Sequence, residues 1–546
     1  MLLIRKELPT MSEVLRSYIA GQWITPDPAG GEFEAINPAT EEVCARVALC
    51  TPAEADAAVM AARAAFDGWS MTPLEQRLEL VEKLIAVFEA RYDEMVVAIS
   101  TEMGAPYDLS HDAQVESGPG HLKATVRAAR EMAWDYDVGV DGIVTHEAIG
   151  VCVLITPWNW PINQIACKVG PALVAGCTMV LKPSEIAPLS AQLFAEFMDE
   201  AGFPKGVFNM VHGTGAGIGN TLTAHAEVDM ISFTGSTRAG VQIAKSAADT
   251  VKRVAQELGG KSANIVFADA GLEAAVTRGV EHCFNNTGQS CNAPTRMLIE
   301  QSVYDEAVAI AARVARETAL GDPRERGDHL GPVVSKAHFD KIQGLIQAGI
   351  DEGAQLVAGG TGRAEGFDRG YYVKPTIFAG VHNQMTIARE EVFGPVLVLI
   401  PFADEAEAIA IANDSPYGLY AYVQTADHER ARRVARRMRD ASGSPAASKR
   451  VCTIVVSEIM LQQTQTHRVA KKFPEFLKRF PTMKALAEAP LSDVLRAWQG
   501  LGYNRRAIAL QTIAKRVINE FGGRLPNNPE MLETFPGIGP NTAGSI

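Results

Sequence analysis

Between residues 150 and 270 short apolar runs alternate with stretches of helical period. Val151–Ile155, Thr178–Leu181, Val207–Val211, Met230–Phe233 and Ala263–Phe267 have the length and β-branched content of buried strands. Ile162–Val174, Ser190–Ala201 and Arg238–Ala248 repeat apolar residues at helical spacing. This alternation predicts an open parallel sheet with helices on both faces, and ligands in such sheets bind at the carboxyl ends of the strands.

The same rhythm continues after residue 270. Helices are expected over Leu272–Asn285, Asp305–Glu317, 335–352 and 404–413, with strands at Met297–Glu300 and Val396–Pro401. Ahead of the first sheet, residues 17–50 read as short strands and turns, and Pro52–Trp69, Glu75–Glu102 and 112–134 as helix. A polar, glycine-bearing stretch at about 135–148 reads as a protruding hairpin. Residues 441–450, small, polar and bearing Gly and Pro, read as a linker. Beyond it come helices separated by short turns.

Charge sharpens that division. The chain has a formal charge of −13, yet from Ser448 onward 14 Lys+Arg face only 7 Asp+Glu. An acidic body with a basic tail points to two parts with different partners. Cys44, Cys50, Cys152, Cys167, Cys177, Cys283, Cys291 and Cys452 form no CxxC pair and no metal-ligand spacing, which suits a reducing, cytoplasmic setting. No apolar stretch reaches the roughly 20 residues of a spanning helix, so no membrane association is expected.

The candidate chemistry centres on Asn285-Asn-Thr-Gly-Gln-Ser-Cys291-Asn-Ala-Pro-Thr. A cysteine among small polar residues, after a glycine, sits on backbone that other groups can approach. A thiolate adds readily to a carbonyl, and a carboxylate elsewhere can activate water to release a thioester. Glu257, in Glu257-Leu-Gly-Gly-Lys-Ser, is the candidate carboxylate. Taken alone, Cys291 reads as a small buried hydrophobe and Glu257 as the end of a strand.

The neighbouring motifs reverse that balance. Thr156-Pro-Trp-Asn-Trp-Pro, Lys182-Pro-Ser-Glu, Phe233-Thr-Gly-Ser-Thr, Glu257-Leu-Gly-Gly-Lys, Gly288-Gln-Ser-Cys and Glu391-Val-Phe-Gly-Pro occur in that order. Over roughly residues 17–440 the chain resembles the aldehyde dehydrogenase superfamily. The resemblance implies an α/β fold: a Rossmann-like nucleotide-binding lobe over 17–258 and a second α/β catalytic lobe over 259–440. A small, incomplete all-α segment follows over 451–546.

It also implies NAD-dependent oxidation of an aldehyde to a carboxylic acid, with no metal. Cys291 would be the nucleophile, Glu257 the base, and Asn159 a donor to the oxyanion beside the Cys291 backbone N–H. Lys182 and Glu185 would hold the adenosine ribose, and the Glu185 charge would favour NAD over NADP. Thr156, Trp158, Ser184, Gly215, Gly235, Ser236, Leu258, Gly259, Glu391 and Phe393 complete the expected cofactor contacts, with Lys168 nearby. Gly213–Gly219 would be a loop beside the cofactor. Cys167, Ser290 and Asn292 would line an uncharged substrate passage.

The tail resembles another family. Ser457-Glu458-Ile-Met-Leu-Gln-Gln-Thr-Gln465, Gly500-Leu-Gly-Tyr503 and Phe535-Pro-Gly-Ile-Gly539 are similar to an adenine-excising DNA glycosylase of the helix–hairpin–helix class. Pro-Gly-Ile-Gly would offer backbone N–H groups to a DNA phosphate, and Glu458 would handle protons on a flipped base. The aspartate and iron–sulfur cysteines that this resemblance expects downstream of Gly539 do not occur, so weak DNA contact without base excision is expected. The dehydrogenase resemblance implies that the hairpin at about 135–148 helps build an oligomer, but after Asp440 the dehydrogenase-like part lacks its usual closing strand, so a homo-oligomer is expected in weakened form. The rival readings are a DNA-binding or repair-related fusion protein and an inactive chimera.

Overall fold

A computed structural model describes residues 14–139, 142–438, 466–499, 501, 504–521, 525–526 and 529–538. The chain divides into two compact units, Met1–Met438 and Arg439–Ile546.

The first unit contains two large sheets. One has seven strands in the order Arg253–Glu257, Met230–Thr234, Val151–Ile155, Thr178–Lys182, Phe208–Met210, Ser17–Ile19, Gln22–Ile24. The first five run parallel, and the last two are antiparallel additions at the far edge. Strand order reverses between Val151–Ile155 and Met230–Thr234, which is the topological switch point of a doubly wound sheet. Apolar residues fill both faces of this sheet, Phe194, Phe197 and Met179 in one cluster and Val59, Val153 and Ile231 in another.

The crossover helices form where the sequence supplies their ends. Pro161 opens Pro161–Ala175, where its missing N–H costs nothing, and Gly176 at φ 85° closes it. The expected run 75–102 is two helices, Leu74–Ala90 and Tyr92–Met103. They part at Arg91, whose guanidinium is taken up by Glu94 and Glu196. The expected helix 112–134 begins as a wider π-helical turn over Ser110–Val115 before regular helix over Ser117–Glu131. The hairpin is present as Asp135–Asp137 paired with Ile143–Thr145.

The second sheet has six strands in the order Gln355–Ala358, Thr376–Ala379, Val396–Phe402, Arg296–Glu300, Ala263–Val266, Ala421–Gln424. Ala263–Val266 therefore belongs here, between Arg296–Glu300 and Ala421–Gln424, and not to the first sheet as its place in the run suggests. Arg253–Glu257 ends the first sheet in its stead. An apolar run predicts a buried strand but carries no mark of which sheet receives it.

The described part of the second unit is helical: Thr466–Arg479, Met483–Glu488, Leu491–Trp498, Asn504–Phe521 and Pro529–Leu532. Phe476, Trp498, Leu510, Ile513 and Phe535 form its core, and Gln511 Nε2 donates to the Ala489 carbonyl at 2.7 Å. Gly537 has φ 83°, as a tight hairpin needs. The linker 441–450, Ser457, Glu458, Gln465, Gly500, Tyr503 and Gly539 lie outside the described residues. No helix among the described residues is long and apolar enough to cross a membrane.

Candidate active site

Cys291 ends a loop whose backbone is unusual. After helix Leu272–Phe284, Asn286 and Thr287 both take φ 55° and Gly288 takes φ 72°. Left-handed non-glycine residues cost roughly 1–3 kcal/mol each and persist only where surroundings hold them. Here the holders are side-chain amides and a hydroxyl. Thr287 Oγ1 donates to the Gly331 carbonyl at 3.1 Å, and Asn286 Nδ2 to the Asn159 carbonyl at 2.9 Å. Gln114 Nε2 donates to Asn286 Oδ1 at 3.0 Å, and Gln289 Oε1 accepts from the Val334 N–H at 2.9 Å. At Gly288 a side-chain carbon would stand 2.1 Å from the Gly394 carbonyl oxygen, so only glycine fits.

Asn159 packs against this loop from the other lobe. It is buried, its Nδ2 donates to the Gln289 carbonyl at 3.0 Å, and its own carbonyl accepts from Gln114 and Asn286. Trp160 Nε1 donates to Ser290 Oγ at 2.8 Å. The carboxamide of Asn159 is thereby anchored on Gln289, two residues before Cys291, with its second N–H uncommitted among the described residues.

The third side is Glu257–Lys261. A side-chain carbon on Gly260 would lie 2.2 Å from the Cys291 carbonyl oxygen, and one on Gly259 would lie 2.5 Å from Glu391 Oε2. The Gly260 N–H donates to Glu391 Oε1 at 2.9 Å. Two glycines thus let the Cys291 loop and the Glu391 carboxylate close on the same turn. The Glu257 side chain is exposed and has no hydrogen-bond or ionic partner among the described residues.

Electrostatics follow from burial. Burial, then the Glu391 charge, with Glu257 adding, raise the Cys291 thiol, while backbone N–H groups oppose the shift. Burial raises the Glu391 carboxyl although the Gly260 N–H, Lys341 and Lys261 pull it down. Lys261 is pushed down to about 7, by burial first and then by Arg296, and its Nζ has no hydrogen-bond partner.

The expected cofactor residues follow the carboxyl ends of the parallel strands. Thr156 follows Val151–Ile155, Ser184 and Glu185 follow Thr178–Lys182, and Gly215 lies beyond Phe208–Met210. Gly235 and Ser236 follow Met230–Thr234, and Leu258 follows Arg253–Glu257. The Thr156 N–H donates to the Lys182 carbonyl at 3.1 Å. Lys182 is buried, its Nζ 3.0 Å from the Pro183 carbonyl and 3.5 Å from Glu185 Oε2, and burial lowers its pKa. Ser236 Oγ caps helix Thr237–Ala247 by accepting from the Ala239 N–H, so that helix directs its N-terminus to the sheet's carboxyl edge. Leu258 packs beside Gly240, where a side-chain carbon would be 2.6 Å from its Cδ2.

Lys168 Nζ donates to Thr234 Oγ1 at 2.7 Å, and Cys167 is half-buried. Asn292 is linked to Tyr422, whose hydroxyl donates to its carbonyl at 3.0 Å. Trp158 and Phe393 meet edge to face at 5.5 Å. Around Gly215 a side-chain carbon would meet nothing within 4 Å, so no close packing inside the chain requires that glycine.

Sequence reasoning missed Gln114, Asn286, Gln289 and His338. Asn286 and Gln289 lie inside the cysteine motif, and two amides flanking Thr287-Gly288 were a signal available in the sequence. Gln114 sits on the π-helical turn, and nothing in the local sequence marks it.

Comparison with known proteins bears on the family and the fold. The sequence profile described as "Aldehyde dehydrogenase family" matches residues 23–444, and that of the "HhH-GPD superfamily base excision DNA repair protein" matches 456–541. A 3-succinoylsemialdehyde-pyridine dehydrogenase from a Pseudomonas species is 53% identical over 430 residues, which cover 79% of this chain and 90% of that protein. An aldehyde dehydrogenase structure from Bartonella henselae aligns with TM-score 0.76 and 52% identity, covering 78% of this chain and 90% of that one. A mutant aldehyde dehydrogenase C from Pseudomonas syringae, complexed with NAD+ and octanal, aligns with TM-score 0.75 and 48% identity, covering 79% and 88%. The chain belongs to the aldehyde dehydrogenase family and is an aldehyde-oxidising enzyme, followed in the same chain by an HhH-GPD base excision repair segment.

Proposed function

We propose that this chain oxidises an aldehyde to a carboxylic acid with NAD as electron acceptor, through a covalent adduct on Cys291. The observation that carries the proposal is the interlock of Asn159, the Cys291 loop, Gly259-Gly260 and Glu391 at the carboxyl edge of the parallel sheet. The residues suit the nucleotide. A capped helix N-terminus follows Gly235-Ser236 for the pyrophosphate. Lys182 and Glu185, with Thr156, Ser184 and Gly215 on neighbouring loops, form a polar rim for the adenosine end. Trp158, Leu258, Gly259, Glu391 and Phe393 surround the nicotinamide end. When bound, NAD supplies the hydride acceptor.

The chain's own residues do the rest. The Cys291 thiolate adds to the aldehyde carbon, and the free Nδ2–H of Asn159 with the Cys291 backbone N–H receives the oxyanion. Burial raises the thiol, and the proton it gives up on forming the thiolate passes to water. After hydride loss the adduct is a thioester. Glu257 then takes a proton from water as the water attacks, and the acid leaves with Cys291 restored.

The Glu185 carboxylate would repel a 2′-phosphate, which favours NAD over NADP. Cys167, Ser290 and Asn292 make an uncharged passage and favour a neutral, extended aldehyde. A homo-oligomer, weakened where a closing strand is expected after residue 440, and a reducing cytoplasm complete the reading. A second reading, weak DNA contact by the basic tail, is favoured by the HhH-GPD match and the left-handed Gly537 turn.

Incubation of the purified chain with NAD and a series of neutral aldehydes, read as NADH absorbance, tests the main reading. Turnover with NAD above that with NADP is expected. No NADH with any aldehyde, from a folded chain that binds NAD, would overturn it. Salt-sensitive retention of the full chain on duplex DNA, without base release, is the outcome expected of the second.

A further inference from the structure

One face of helix Lys336–Asp351 grips the loop that carries Glu391 and Phe393. His338 and Lys341, a turn apart, both reach its backbone. His338 Nε2 lies 2.7 Å from the Phe393 carbonyl oxygen, and Lys341 Nζ donates to the Glu391 carbonyl at 2.9 Å. Ile342, on the same face, fills the space beside Gly394, where a side-chain carbon would stand 2.7 Å from its Cδ1.

The gripped loop is strained. Phe393 has φ 62°, a region that a residue with a bulky side chain enters only when its surroundings hold it there. A carbonyl oxygen can only accept, so Nε2 of His338 carries the proton. Burial pushes the imidazole down to about 4, so the ring is neutral and its single N–H is the one spent on Phe393. The ring also packs edge to face on Trp158 at 5.5 Å and on Phe393 at 5.9 Å. Trp158 comes from the first sheet's lobe and the other two rings from the second, so the trio bridges the lobes beside the nicotinamide end of the candidate site.

We infer that His338 is a positioning residue for the nucleotide: its Nε2–H holds Phe393 in the left-handed conformation, setting the Phe393 ring before the nucleotide arrives. This rests on the reading above that Phe393 and Glu391 face the nicotinamide end. Lys341 and the Gly260 N–H keep their hold on Glu391 when His338 is replaced, so the effect falls on nucleotide affinity and not on the reactivity of Cys291.

The test uses the full chain with His338→Phe, His338→Gln and Phe393→Ala. Phenylalanine keeps a ring and loses the donor, while glutamine keeps an N–H near the position of Nε2. Amide hydrogen exchange over residues 388–396 is measured without nucleotide, and NAD binding by quenching of tryptophan fluorescence. His338→Phe is expected to speed exchange of that segment about tenfold, the loss of one hydrogen bond, and to weaken NAD binding severalfold. His338→Gln should hold both within about twofold. Iodoacetamide alkylation of Cys291 without NAD should be unchanged in both. Unchanged exchange in His338→Phe, or equal damage in His338→Gln, would overturn the inference. Faster exchange with NAD affinity intact in both His338→Phe and Phe393→Ala would overturn its nucleotide half and trace the failure to the reading of Phe393.

Discussion

Gly260 and Cys291 touch backbone to backbone: a side-chain carbon at Gly260 would stand 2.2 Å from the Cys291 carbonyl oxygen. The atom in the way is main chain, so no rotamer relieves the clash. Gly260→Ala must therefore displace the nucleophile loop. Turnover should fall by about a hundredfold, the scale of a 1 Å misplacement of a reacting group. Stability should fall by only about 1–3 kcal/mol. Steady-state kinetics beside thermal unfolding separate the two effects, and wild-type turnover in this variant would mean that the loop accommodates the added carbon.

Glu257→Gln removes the proposed base but keeps the shape of the side chain. Thioester hydrolysis should slow by about a hundredfold or more, while hydride transfer persists as a rapid NADH burst. Stopped-flow absorbance reads both phases. A folded variant with no burst would assign Glu257 to thiol activation more than to water activation.

The pH dependence of the thiol follows from its surroundings. Burial and the Glu391 charge hold Cys291 above its ordinary value of 9.0, so the thiolate fraction still climbs through the alkaline range. Alkylation of Cys291 by iodoacetamide, followed on its tryptic peptide, should accelerate up to and beyond that pH. Glu391→Gln keeps an oxygen for the Gly260 N–H but removes the negative charge. Thiolate formation becomes easier, and the profile should move to lower pH. A profile that stays in place or moves upward would show that the Glu391 charge does not reach the sulfur.

Glu185→Gln addresses cofactor choice. The carboxylate lies 3.5 Å from Lys182 Nζ at the end of its strand. Removing its charge takes away repulsion toward a 2′-phosphate, worth about 1 kcal/mol near the surface, and should narrow the NAD-to-NADP ratio about fivefold. The ratio of kcat/KM for the two cofactors measures it. An unaltered ratio would place Glu185 away from the ribose.

Much of this site was legible because motif chemistry and strand ends coincide. Each expected cofactor loop from Thr156 to Leu258 follows a parallel strand, and apolar runs announce such strands. The hairpin at 135–148 was marked by its turn residues. Of Arg253–Glu257 only the end at Glu257 was read as strand, because alternating exposed and half-buried residues on an edge strand resemble a polar loop. Ala263–Val266 was recognised as a strand; its apolar run grouped it with the first sheet while the lobe boundary at 258 implied by the resemblance placed it with the second, where long-range pairing puts it. The hold on Asn286 by Gln114 and Asn159, and on Phe393 by His338, joins residues 55 to 172 positions apart. No local pattern encodes such contacts.

The hairpin Asp135–Asp137 and Ile143–Thr145 bears on self-association. Val138 is 58% exposed and Ile143 74% exposed, with Tyr136 open beside them. A two-stranded ribbon with no layer packed over its apolar side chains is marginal alone and gains by burying them against a second surface. The second sheet offers one: Ala421–Gln424 pairs on one side with Ala263–Val266, and its other side is an unpaired edge among the described residues. Two copies could satisfy each other, hairpin to edge, in a twofold arrangement. Ile143→Lys puts a charge on the most exposed apolar position of the hairpin without touching Cys291, Glu257 or the parallel sheet. It should shift the protein toward monomer in sedimentation velocity at micromolar concentration, while the unfolding midpoint of the monomer and the alkylation rate of Cys291 stay unchanged. Identical sedimentation of variant and wild type would show that the hairpin is not the contact, and would turn the search to the exposed Val251 and Tyr420.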